Sequence, residues 1–261
     1  MKRASNPAIT CIFIYILCIC SPIQLFAQKQ KINQSQLWYA YFNHIRFSNN
    51  YRLLTDVQER HFIAPVGAQG NLIFRSIVYK NLGNNWEVGA GLGLFFSGPS
   101  RIPAANTLII PEIRPTIDFI HREKAGALNI NQRYRFEARY FHHVENNLLV
   151  DGFGFGNFRL RYQLSFDYPI IKDAKKKTII TARIYDEIFL NAGNKIVANT
   201  FDQNRIYAGL ACNLNTSFTL ELGYLNWFQE TSDGKSYFNR NIYRIGVNQL
   251  IDLSKKKNAT Q

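Results

Sequence analysis

The sequence predicts an all-β chain: a single antiparallel transmembrane β-barrel of about 10–12 strands with a polar, arginine-rich lumen. Three observations carry that expectation. After residue 35, nearly every stretch alternates apolar with polar or small residues. The charged parity is built from arginine, while lysine is confined to termini and turns. Short and long connections alternate along the chain. Successive side chains of a strand point to opposite faces. A face rich in Phe, Tyr and Trp opposite a charged face therefore needs two different solvents. Lipid outside and a wet or salt-bridged interior supply them. A soluble two-sheet sandwich would also alternate, but its polar face would meet bulk water, where lysine is usual.

The chain of 261 residues divides into a signal peptide, 1–27, and a barrel domain, 28–261. Lys2 and Arg3 precede an apolar run from Ile9 to Cys20, Pro22 breaks it, and Leu25-Phe26-Ala27 precedes Gln28. That order of charge, apolar run and small residue is a secretory leader, with cleavage expected after Ala27. The run is too short for a spanning helix, which needs about 20 apolar residues. Ile19 before Cys20 argues against lipid attachment there. The leader predicts export to the cell outer membrane, with outer-membrane lipid and the barrel assembly machinery as partners.

Cys11, Cys18 and Cys20 fall in the leader, so Cys212 remains alone and forms no internal disulfide. His44, His61, His121, His142 and His143 lack the close spacing of metal ligands, and no metal or cofactor is expected. The net charge of +13 raises nucleic acid as a partner. The distribution of charge speaks against it. Lysines cluster at 172–177 and 255–257, whereas arginines sit within the strands. A nucleic-acid surface would normally mix both types on one face.

Strands are expected at 36–47, 51–62, 71–82, 85–96, 109–121, 126–142, 155–168, 177–190, 202–213, 216–228 and 240–253, after a polar lead-in at 28–35. Asn, Gly and Lys clusters mark short turns. Longer connections are expected at 63–70, 97–108, 143–154, 191–201 and 229–239. Tight periplasmic turns and longer external loops alternate in the same way in outer-membrane barrels. Single-chain bacterial barrels have an even strand number, so the eleven segments predict ten or twelve strands.

With apolar residues facing lipid, the inward set follows from parity. Candidate lumen and anion-binding residues are Arg60, Arg114, Arg133, Arg135, Arg139, Arg159, Arg161 and Arg205. Their candidate carboxylate partners are Asp56, Glu112, Glu137, Glu187 and Glu221. Arg75, Asp118, Asp167, Arg183 and Arg244 share that parity. Guanidinium suits a narrow lumen because it pairs bidentately with carboxylates and is less strongly hydrated than an ammonium. Gly89, Gly91 and Gly93 also point inward, where they leave room or let the sheet bend. Glu59 and Asp186 fall on the lipid parity, and a bulge at Asp186 is expected to shift the register. Pro111 and Pro115 fit poorly inside a paired strand.

Several of these runs, taken in order, resemble a family of Gram-negative outer-membrane proteins catalogued as domain of unknown function 2490. They are Asp56-x-Gln58-x-Arg60, Glu112-x-Arg114-Pro115, Arg133-x-Arg135-x-Glu137-x-Arg139, Arg159-Leu160-Arg161-Tyr162, Tyr185-Asp186-Glu187-x-Phe189 and Asn204-Arg205-x-Tyr207-x-Gly209. The resemblance spans Trp38 to Leu253 and implies an outer-membrane β-barrel with no assigned activity. The chain departs from the usual barrel ending, since a lysine-rich tail follows Leu253 where a terminal aromatic is common.

The expected function is that of a non-enzymatic integral barrel. It would be either a narrow channel leaning toward small acidic solutes or a structural barrel whose lumen is filled by ion pairs. The alternative is an outer-membrane lipid-modifying enzyme of the phospholipase or lipid A hydrolase type. His142 or His143 with Ser97, Ser100 or Ser232 is its raw material, though a catalytic site needs such groups within hydrogen-bond reach.

Overall fold

The computed structural model describes residues 29–64, 68–101, 107–196 and 198–254. The leader, its cleavage site and the lysine-rich tail lie outside them. Eleven strands follow in chain order: β1 (Gln30–Arg46), β2 (Tyr51–Phe62), β3 (Gln69–Gly83), β4 (Trp86–Ser97), β5 (Ile110–Ala125), β6 (Leu128–Glu145), β7 (Leu148–Lys172), β8 (Thr178–Ala192), β9 (Phe201–Asn213), β10 (Phe218–Glu230) and β11 (Ser236–Asp252). They form one closed barrel in which every strand pairs with its neighbours in sequence.

All sequence-adjacent pairs are antiparallel, whereas β1 closes on β11 in parallel, from Gln30 opposite Ser236 to Arg46 opposite Asp252. A meander with an odd number of strands leaves its first and last strands running the same way, so its closing pair must be parallel. The count of eleven lies within the predicted range, but the expectations of an even number and of a wholly antiparallel sheet are both corrected. Closure pairs every strand on both sides through the wall, and in hydrocarbon each unpaired backbone group costs several kcal/mol. The polar stretch 30–35, predicted as a lead-in, is instead the first part of β1 and pairs with β11.

Connections at one end are 47–50, 84–85, 126–127, 173–177 and 214–217; we call this the turn end. Those at the loop end are 63–68, 98–109, 146–147, 193–200 and 231–235. The connection predicted at 143–154 is only two residues. Asn146 and Asn147 hold φ of 49° and 61°, the left-handed pair that a tight hairpin turn needs and that asparagine tolerates. β6 and β7 therefore continue past the rest of the rim. β7 pairs with β8 only from Phe158 onward, so residues 148–157 have strand partners in β6 alone.

The outward face is apolar around the wall, with Phe74, Leu94, Phe136, Ile184, Leu222 and Tyr243 all exposed. Glu59 points outward as predicted, beside His61 at 2.9 Å. Asp186 also stays outward, between Leu164 and Ile206, and the predicted bulge is absent there. Its carboxylate accepts a hydrogen bond from Asn204 on β9, which removes the need for a register change. Pro111 and Pro115 remain within β5. The β5–β6 ladder skips Arg114 and Pro115 and resumes at Thr116 opposite Glu137, so the missing proline N–H costs one break.

Candidate functional site

The lumen is filled from the strand faces upward. β5 and β6 place Asp118 and Arg135 opposite one another, and two bonds of 2.6 and 2.7 Å join them. Both side chains are essentially inaccessible, and the Tyr79 hydroxyl donates to the same carboxylate at 2.6 Å. One register step further on, Glu137 accepts from Arg161 at 3.0 Å. Nearer the loop end, Glu112 accepts from Arg114 at 2.6 and 2.7 Å and from Arg139 at 2.5 and 3.0 Å. Glu187 on β8 is shared by Arg133 and Arg161. Asp56 holds Arg75, and Glu221 holds Arg183 and Arg244. Every predicted carboxylate thus lies inside and carries an arginine partner. Leaving such a charge unpaired in a low-dielectric interior costs several kcal/mol, so the two residue types must enter the lumen together.

The predicted arginines are all on the inner face, and they do not fill it alone. Trp38, Tyr207, Leu225, Trp227 and Ile242 form a buried apolar cluster on the side of β1, β9, β10 and β11. A second cluster joins Ile77, Tyr79 and Ile120. Several guanidinium groups lie over aromatic faces: Arg60 over Trp38 at 3.7 Å, Arg114 over Phe95 at 3.6 Å and Arg205 over Trp227 at 4.6 Å. Desolvated stacking of this kind is worth up to about 2 kcal/mol and orients the cation edge-on. The inward glycines are occupied space rather than room. A side chain at Gly89 would collide with the Tyr79 ring, and one at Gly93 with Phe95, both at under 3 Å.

Two cavities lie along the lumen. One of about 730 Å³ opens at the loop end, and one of about 450 Å³ lies toward the turn end. Both are bounded by Arg60, Phe95, Arg114, Arg159 and Arg205, which therefore form a septum between them. Among the described residues, Arg60 and Arg205 pair with no carboxylate. Arg60 donates to Gln58 and Arg205 to Gln203, each at 2.9 Å, and the Nε of each is buried without an acceptor.

Two of the charged residues that sequence parity misses bear most on the loop-end cavity. Asp202 is buried and pairs with Arg159 at 2.8 Å. It reaches the lumen because the β8–β9 register slips between Phe189 and Leu190, leaving Asp202 as the extra residue. A bulge re-aims a side chain in this way, and no local pattern announces it. Arg240 is the second. The alternation of Phe238, Arg240, Ile242 and Arg244 could have revealed it, but the predicted loop at 229–239 cut that run short. His142 and His143 bond to the backbone carbonyls of His143 and Asp151, and among the described residues neither is hydrogen-bonded to Ser97, Ser100 or Ser232.

Residues 35–239 match the family described as Protein of unknown function (DUF2490). The chain belongs to that family. No curated protein matches it. Among solved structures, the barrel of this DUF2490 member is similar to a NanC porin, with a TM-score of 0.50 and 14% identity over 82% of this chain and 97% of that one. That likeness concerns the fold alone, a porin-like β-barrel. The outer-membrane expressed OmpT of Vibrio cholerae is more distant, at a TM-score of 0.35 and 11% identity over 72% of this chain and 58% of that one.

Proposed function

We propose that this DUF2490 protein is a non-enzymatic barrel of the outer membrane whose narrow lumen admits small acidic solutes. One observation carries the reading. The septum between the two cavities contains Arg60 and Arg205, cations held in place by neutral amides instead of carboxylates. A desolvated positive charge at a constriction attracts anions and repels cations. The apolar outer wall supports insertion in lipid. The leader supports export, with cleavage after Ala27, which the mass of the mature protein checks. Hydrolysis of labelled phospholipid that disappears on His143→Ala would restore the lipid-enzyme alternative.

Planar bilayers test the channel. Purified protein in a salt gradient should carry small currents whose reversal potential lies on the chloride side, and Arg205→Gln should move it toward zero. A folded protein that carries no current would instead be a structural barrel with a plugged lumen. The septum of packed side chains is the observation that favours this second reading.

A further inference from the structure

We infer that the loop-end cavity is a binding site for a doubly charged oxyanion, a phosphate group being the simplest. The inference rests on the anion-leaning reading above and assigns it a place and a ligand class. The cavity of about 730 Å³ is in the range of small-molecule sites. Its carboxylates are already engaged: Glu112 by Arg114 and Arg139, Asp202 by Arg159, and Glu230 by Lys29. Three further arginines line it with no carboxylate of their own among the described residues: Arg60, Arg205 and Arg240.

Each of these three is held by neutral acceptors. Arg240 donates to Gln34 at 2.7 Å, to Gln229 at 2.6 Å and to the Ser100 carbonyl at 3.1 Å. Arg205 donates to Gln203 and Arg60 to Gln58. A glutamine carbonyl fixes a guanidinium as a carboxylate would, but leaves its charge standing. Rings cover the faces: Trp38 lies under Arg60, and Trp227 and Phe238 flank Arg240 at 4.3 and 4.1 Å. A ligand can therefore meet these groups only at their edges, not at the ring-covered faces. The Nε donors of Arg60 and Arg205 are buried and unaccepted, and Arg60 is only 8% exposed. Buried donors of this kind normally have partners. Three guanidinium groups around one cavity, each without a carboxylate of its own among the described residues, match an oxyanion with two charges, because guanidinium edges bind such oxygens in their own plane.

Calorimetric titration of the folded, mature barrel in detergent tests this, with inorganic phosphate at mildly alkaline pH against chloride at equal ionic strength. Saturable binding of phosphate and not of chloride is expected. Arg205→Gln should weaken it about tenfold or more, as loss of one charge-assisted bond predicts. Arg122→Gln, at the turn end, should bind as the wild type does. The decisive variant is Gln203→Glu with Gln229→Glu, which keeps every arginine and gives two of them a near-isosteric carboxylate. It should fold, resist heating better than the wild type without phosphate, and lose phosphate binding. Unchanged affinity in that variant, or no saturable binding by a folded wild-type barrel, overturns the site. Phosphate binding without current would keep the site and remove the channel; anion-biased current without phosphate binding would do the reverse.

Discussion

At the scale of single residues, the lumen is governed by pairing. Arg135 and Asp118 are both hidden from solvent, so removing one strands the other. Arg135→Ala should destabilise the barrel by about 3–5 kcal/mol. The readout is the temperature at which the folded band on a gel converts to the slower, unfolded one. Arg101→Ala, at an exposed rim position, should stay within about 0.5 kcal/mol of wild type. Equal melting of the two variants would mean that the buried pair contributes nothing. Glu112 makes a second case, since it serves two arginines at once. Glu112→Gln should leave both with uncancelled charge and shift the reversal potential further toward chloride; a shift toward the cation side would contradict the charge accounting. These residues were legible in the sequence because strand parity alone sorts arginine and carboxylate onto one face. The apolar inner layer was not. Ile77, Tyr79 and Phe95 occupy inward positions opposite or beside the glycines of β4, and a glycine row read alone does not say whether its space is empty or filled by a neighbour's ring.

At the scale of elements, sequence alternation located all eleven strands but judged their ends by polarity. That criterion fails where backbone pairing extends a strand through polar residues. β1 starts within the supposed lead-in because β11 offers it a partner along its whole length. The β6–β7 hairpin is longer than predicted because two asparagines supply both left-handed positions of its turn. Among the described residues its outer part has no strand neighbour outside the pair, and Lys195 of the β8–β9 connection donates to the Phe155 carbonyl at 2.8 Å as a side contact, so its backbone pairing is local. Replacing Asn146 and Asn147 together by alanine should cost about 1–2 kcal/mol per residue in the hairpin. Hydrogen exchange should then accelerate over 141–157, while the melting of the barrel holds. A matching fall in both would show that the hairpin folds as one unit with the wall, contrary to its pairing pattern.

At the scale of the whole molecule, the odd strand count fixes where the two ends of the barrel lie. β1 enters at the loop end, and β11 leaves at the turn end. An even meander would return both termini to one side. In outer-membrane barrels the longer connections face outward and the tight turns face the periplasm. The start of β1 should therefore stand at the cell surface and the end of β11 at the periplasmic face. The strand count itself was illegible from hydropathy, because the choice between ten, eleven and twelve turns on whether a polar segment pairs, and pairing partners two hundred residues apart leave no local trace. An epitope tag placed directly after the cleavage site should be reached by antibody on intact cells, and a tag after Leu253 only once the outer membrane is permeabilised. Simultaneous access to both tags, or to neither, would require an even number of strands and would replace the parallel seam between β1 and β11 with an antiparallel one.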